Sequence, residues 1–162
     1  MLRSALDRAD RRILAELQNS GRISNVELAG KVGLSPSPCL ARVKQLEDKG
    51  VVSRYVALLD PERIGSTVSV FIQISLTNQT EKNLERFEKV VIELPEVMEC
   101  YLMSGDSDYL LRVVVTDTVA LRDFILDKLT KIEAVSSIRS SFSLKQVKYK
   151  TALPIEQLWP ER

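Results

Sequence analysis

Apolar positions recur at helical intervals over roughly the first fifty residues and at every second position in several later segments. Leu6, Ile13, Leu14 and Leu17 lay one apolar face along a helix from about Asp7 to Asn19, and Gly21 ends it. Val26, Leu28, Ala29 and Val32 mark a second, shorter helix. Gly33 follows where a helix stops, because glycine accepts the left-handed backbone that ends one. Ser35 then stands at an N-cap with Pro36 at the first helical position, and Leu40, Val43 and Leu46 give the third helix an inward stripe. Pro38 allows two starts. Either the helix begins at Pro36, with Pro38 tolerated among the unpaired amides of the first turn, or it begins a residue or two later. The segment Ser24–Gly50, two short amphipathic helices joined by a tight Gly-Leu-Ser turn, has the form of a helix-turn-helix.

Beyond Gly50 the pattern changes. Val51–Leu59 reads as a strand, and residues 60–66 as a hinge broken by Pro61 and Gly65. Strand-like alternation over Thr67–Leu76 precedes an amphipathic helix over Lys82–Leu94, closed by Pro95. A strand over Val97–Met103, a turn at residues 104–108 and a strand over Tyr109–Val115 come next. A helix over Thr118–Lys131 and a mainly extended stretch from Val135 to Lys150 complete the series. Strand, helix, strand, strand, helix, strand is the order of a ferredoxin-like βαββαβ unit, an antiparallel four-stranded sheet with both helices on one face. The predicted fold is therefore α+β: a three-helix domain over 1–50, a strand and hinge over 51–66, a sheet domain over 67–150 and a tail over 151–162. Several candidate residues of the uncovered sheet face are apolar, which predicts dimerisation through it. The tail carries Leu153, Ile155, Leu158 and Trp159 and is expected to pack on its own or a neighbouring subunit.

Net charge says little until it is divided. The 162 residues sum to +1, yet residues 1–59 hold ten Lys/Arg against six Asp/Glu, and residues 60–162 hold thirteen against sixteen. The balance of +4 in front and −3 behind directs phosphate to the helical half. No histidine is present, so no Ser-His or Cys-His nucleophile can be assembled. Cys39 and Cys100 lack the spacing of a zinc site, and neither a GxGxxG nor a Walker sequence occurs. Catalytic residues, metal and cofactor are accordingly not expected. The chain shows no membrane-spanning apolar run and no signal peptide, which with two unpaired cysteines predicts a cytoplasmic protein.

Two constellations carry binding chemistry. In the third helix Ser37, Ala41, Arg42, Lys44 and Gln45 lie mostly off the inward stripe, where a recognition helix reads base edges. Arg42 is a candidate for a bidentate pair with guanine, while Arg22, Lys31 and Arg54 read equally as phosphate contacts or solvated charges. The turn Ser104–Asp108 has two readings as well. It is a solvated hairpin rich in turn formers, or a ligand loop in which Asp106 and Asp108 accept from an ammonium group and turn amides hold a carboxylate.

Taken together, LDRADRRIL, GRISNVELAGKVGLSPSPCLARVKQLEDKGVV, ALLDPE and ECYLMSGDSDYLLRVVV resemble the leucine-responsive regulator/AsnC family of bacterial and archaeal transcription regulators, over essentially the whole chain. The resemblance implies a sequence-specific regulator of amino-acid metabolism genes that binds double-stranded operator DNA. It implies a reading unit at Asn25–Lys44, with Asn25, Ser35, Pro36, Ser37, Pro38, Arg42, Lys44 and Gln45 at the DNA. It implies a C-terminal domain that senses an amino acid beside Met103, Ser104, Gly105, Asp106, Asp108 and Tyr109. A second wall, around Ser136, Ser137 and Arg139, would come from another subunit. Family members form homodimers that assemble further, commonly into octamers, and the closing stretch from Ile138 to Ile155 is similar to the subgroup that controls amino-acid catabolism. An architectural DNA-binding protein without effector, and an amino-acid-binding module or enzyme whose helical domain serves protein contacts, are the competing readings of the residues.

Overall fold

A computed structural model describes residues 6–65 and 68–158. They cluster into two compact units, one formed by the residues up to 58 with those from 148 onward, the other by residues 59–147.

The first unit is built on α1 (Arg8–Asn19), α2 (Asn25–Val32) and α3 (Pro36–Asp48). Each start has its own logic. At α1, Asp7 and Asp10 form a capping box, each carboxylate accepting from the other's backbone N–H. At α2 the Ser24 hydroxyl accepts from the Glu27 N–H. The α3 helix begins at Pro36, and its N-cap Ser35 makes no side-chain bond. Pro38 occupies the third helical position, so of the two amides a serine cap can engage only that of Ser37 is present, and the hydroxyl does not take it. Pro38 itself is tolerated because an amide there would have had no partner within the helix.

The predicted inward stripe of α3 needs one correction. Leu40 is 44% exposed, and the buried positions are Cys39 and Leu46, with Val43 partly covered. Val26 is likewise exposed. Ile13, Leu14, Leu28, Ala29 and Val32 complete the core, joined by Ile155 from the short helix α7 (Ile155–Leu158) at the tail. Gln18 fastens that tail by accepting from the Leu153 N–H at 2.6 Å and donating to the Leu153 carbonyl at 3.2 Å. Trp159, the tail's largest apolar side chain, lies outside the described residues.

Val51–Leu59 does not form the predicted strand. Gly50, at φ 68°, reverses the chain, and the N–H groups of Val51 and Val52 fold back onto the Leu46 carbonyl to cap α3. The rest of the segment is exposed, outside any helix or strand and without a ladder partner among the described residues, and β-propensity alone cannot pair a backbone. Tyr55 donates to Glu47 and lies close over Gly21. The hinge contains a single helical turn, α4 (Pro61–Ile64).

The second unit contains β1 (Val68–Leu76), α5 (Glu81–Ile92), β2 (Val97–Leu102), β3 (Tyr109–Val115), α6 (Thr118–Asp127) with a 3₁₀ turn at Leu129–Lys131, and β4 (Val135–Phe142). Its sheet order is β2-β3-β1-β4, every neighbouring pair antiparallel. This is the split βαβ arrangement expected from the element order. Alternation works as predicted: Val70, Ile72 and Ile74 of β1 and Tyr109, Leu111 and Val113 of β3 are buried, packed with Phe87 and Val91 of α5 and Leu121 and Phe124 of α6. The other face presents Phe71, Tyr101, Leu110 and the Arg112–Glu99 ion pair at 2.7 Å.

Candidate nucleic-acid interface and effector site

On the recognition helix α3, Pro36, Ser37, Pro38, Leu40, Ala41, Lys44 and Gln45 are exposed, as is Ser35 before it. At 100° per residue Ser37, Ala41 and Lys44 fall on one flank, opposite the buried Cys39 and Leu46. That flank is the surface available to a groove. Two predicted contacts are employed elsewhere. Arg42 is turned toward α1, where its Nη1 donates to Asp7 Oδ2 at 2.6 Å and Asp10 Oδ1 at 2.7 Å. Asn25 is partly covered, and its Nδ2 donates to the Pro36 carbonyl at 2.8 Å, tying the start of α2 to the start of α3. Its Oδ1 is buried without a hydrogen-bond partner. Neither side chain is presented as a reader of bases. Arg22 and Arg54 are exposed, whereas Lys31 pairs with Glu16 at 3.2 Å and Glu27 at 3.6 Å. The spacing of Asp7 and Asp10 fits a reciprocal cap, but nothing local in the sequence pairs that cap with Arg42.

The turn after β2 is closed by the Met103 N–H donating to the Asp108 carbonyl, and it is fixed to β1 by the Asp108 N–H donating to Ile74. Met103, Ser104, Gly105 and Asp106 are exposed. Asp108 differs: it is 8% exposed, its Oδ2 accepts from the Leu76 N–H and its Oδ1 from Gln79 Nε2, both at 2.6 Å. Within the chain Asp108 is thus a bracket that holds the end of β1, and Gln79 is a partner the sequence did not advertise. Tyr109 does not line the loop surface as expected. Its ring is buried against Phe87, with centroids 4.5 Å apart, because position 109 alternates into the helix-covered face. Burial and the bond from its hydroxyl to Glu88 push the phenol well above its ordinary value.

Ser136 and Ser137 lie at the same end of the sheet but across β1. Ile74 opposes Tyr109 on one side and Ile138 on the other, so the turn and the β4 serines flank β1 at about 10 Å from strand to strand. The Ser136 hydroxyl donates to the Ser75 carbonyl, and Arg139 opposes Gln73 on the uncovered face. The sheet brings Met103–Asp108, Gln79 and Ser136–Ser137 to one end, while Arg139 stands farther along the strand.

A unit of helices with one exposed flank and a ferredoxin-like unit with a looped end, carried in one chain, define a class: a helix-turn-helix regulator with its own ligand-binding domain. Comparison with known proteins agrees. The winged helix-turn-helix DNA-binding family model matches residues 6–53, and the Lrp/AsnC ligand binding domain model matches residues 69–153. The chain is 46% identical to the Bkd operon transcriptional regulator of Pseudomonas aeruginosa over 150 residues, covering 93% of this chain and 98% of that protein. It is 44% identical to the leucine-responsive regulatory protein of Escherichia coli K12, covering 93% of this chain and 92% of the relative. A transcriptional regulator of Neisseria meningitidis, solved as an L-Met complex, superposes with a TM-score of 0.90 at 44% identity, covering 95% of this chain and 99% of that one. The chain belongs to the Lrp/AsnC family of transcriptional regulators, and it is a DNA-binding regulator, not an enzyme.

Proposed function

We propose that this regulator responds to a free α-amino acid bound at the Met103–Asp108 end of the sheet, and that it controls genes of amino-acid metabolism from the bacterial cytoplasm. One observation carries the reading: an exposed turn with a free carboxylate at Asp106 and an apolar edge at Leu102 and Met103 is anchored rigidly by Asp108 to the sheet core. Such a turn offers an ammonium acceptor, backbone amides for a carboxylate and an apolar surface for a side chain. The L-Met held by the Neisseria relative supports an apolar or sulfur-containing amino acid.

The site is completed by a second subunit that brings Ser136, Ser137 and Arg139. The uncovered sheet face, with Phe71, Tyr101 and Leu110, favours a homodimer, and dimers assemble into a larger ring, an octamer being the expected size. DNA is met by Ser35, Pro36, Ser37, Pro38, Lys44 and Gln45, and several linked heads offset the modest charge of each. The test is a thermal-shift and calorimetric survey of the twenty amino acids, followed by gel shifts on DNA upstream of the chain's own gene with and without the best ligand. We expect saturable binding of one or a few apolar amino acids, abolished by Asp106→Ala, and a changed pattern of DNA complexes. Absence of binding by every amino acid, with DNA binding intact, overturns the effector reading in favour of an architectural role.

A further inference from the structure

We propose that Arg42 is a positioning residue of the recognition helix: through Asp7 and Asp10 it sets the pose of α3 in the groove, and it does not itself read a base. Its place on the helix is the first argument. Arg42 lies about 150° around the axis from Ser37 and Lys44, so it leaves α3 from the flank that faces α1. The second is the bond geometry. A single nitrogen, Nη1, is shared between two carboxylates of a reciprocal cap, at 2.6 and 2.7 Å. Asp7 and Asp10 are thereby held by each other's backbone before Arg42 arrives, and the clamp is anchored to the first turn of α1. Asp10 is only 7% exposed, so swinging Arg42 toward DNA would strand a buried carboxylate.

The third argument is that α3 needs an external clamp. Its start has prolines at the first and third positions and no side-chain cap, so no side chain of its own ties down the first turn. The Asn25 amide holds that turn from α2, and Arg42 holds the middle of the helix from α1. Two ties from two different helices fix the axis of the third, and the exposed flank is then aimed without either tie touching DNA.

The experiment uses the full chain with Arg42→Gln, Arg42→Lys, Asp10→Asn and the double variant Asp10→Asn/Arg42→Gln. Each is titrated by fluorescence anisotropy against a duplex selected from a random pool by the unaltered protein, and against a scrambled duplex of equal length. Single-base variants of the selected duplex give the preference at each position. A positioning role predicts that Arg42→Gln and Asp10→Asn each weaken the selected duplex about tenfold. The double variant loses no more than either single one, because both break the same tie. The scrambled duplex changes far less. Arg42→Lys stays within about threefold, since one ammonium nitrogen can serve a clamp that uses one nitrogen but cannot imitate a bidentate fork. Charge alone predicts the opposite for Asp10→Asn, which removes a negative group and would tighten both duplexes.

The proposal is overturned if Arg42→Lys is as weak as Arg42→Gln with discrimination lost at one base pair, which would be direct reading. It is equally overturned if the variants lose the same factor on both duplexes, or if Asp10→Asn binds more tightly. Circular dichroism checks folding, and Asp7→Asn, at the exposed end of the clamp, carries the same comparison should Asp10→Asn not fold.

Discussion

Each unit of the chain buries an aspartate, and the two are held by opposite means. Asp10 in the helical unit is 7% exposed and faces the guanidinium of Arg42 from another helix. Asp108 in the sheet unit is 8% exposed and accepts from two neutral donors, the Leu76 amide and the Gln79 side chain. Their surroundings explain the difference. Fifteen buried residues of the described sheet unit form one apolar core, and the Asp108 bracket adds a local tie at one end of it. Among its described residues the helical unit buries eight apolar side chains, and a charged tie supplements them at α3. The charged tie suits the surface that must keep its shape on a polyanion, and the Asp108 bracket fixes the end of the sheet proposed to meet a ligand.

Alanine at each position tests that contrast. Asp108→Ala leaves the Leu76 amide buried with no acceptor, and it is expected to cost about 2–3 kcal/mol. Asp10→Ala leaves Arg42 partly solvated and still paired with Asp7, so a smaller loss of about 1–2 kcal/mol is expected. Thermal and denaturant unfolding of the two variants measure both. A larger loss from Asp10→Ala than from Asp108→Ala would reverse the comparison.

The elements were legible where a period was long or a breaker strong. The strand Tyr109–Val115 has the bounds its alternation predicts, and Gly33 takes φ 75° at the end of α2 as a glycine stop should. The strand predicted over Val51–Leu59 did not form, because β-branched residues announce a preference while a ladder requires a partner, and Gly50 turned the first two amides back onto Leu46. The site divided in the same way. Exposed Ser37, Lys44 and Asp106 follow from helical angle and turn position. The engagement of Arg42 with Asp7 and Asp10, 35 and 32 residues away, and of Asp108 with Gln79, 29 away, is long-range pairing that no local pattern encodes. Tyr109 was misplaced for a simpler reason. Its neighbour Asp108 belongs to the turn, but position 109 already obeys the strand's alternation.

Acid sharpens the contrast further. The Asp10 N–H, and after it Arg42, hold the Asp7 carboxyl below its ordinary value of 3.8. Because the folded value is the lower one, this contribution is fully present above the ordinary value and is lost as pH falls through the depressed one. The helical unit is thus expected to loosen below about pH 4, with Asp7→Asn flattening that part of the curve, since asparagine caps a helix as well as aspartate without titrating. Far-UV circular dichroism of both proteins over pH 2–6 is the check, and an unchanged slope in Asp7→Asn would assign the acid loss to other carboxylates.

The smallest expected effect compares two serines of the helical unit. Ser24 caps α2 through a bond from the Glu27 amide, so Ser24→Ala should cost about 1 kcal/mol. Ser35 occupies the same position before α3 with no such bond, Pro38 having removed the amide that Ser24 finds at the matching position, and Ser35→Ala should stay within about 0.5 kcal/mol of the parent. Unfolding measurements on the two variants separate a cap in use from a cap position left idle. A weakened grip on DNA in Ser35→Ala at unchanged stability would then place its hydroxyl at the phosphate backbone, whereas a stability loss equal to that of Ser24→Ala would mean that Ser35 caps α3 after all.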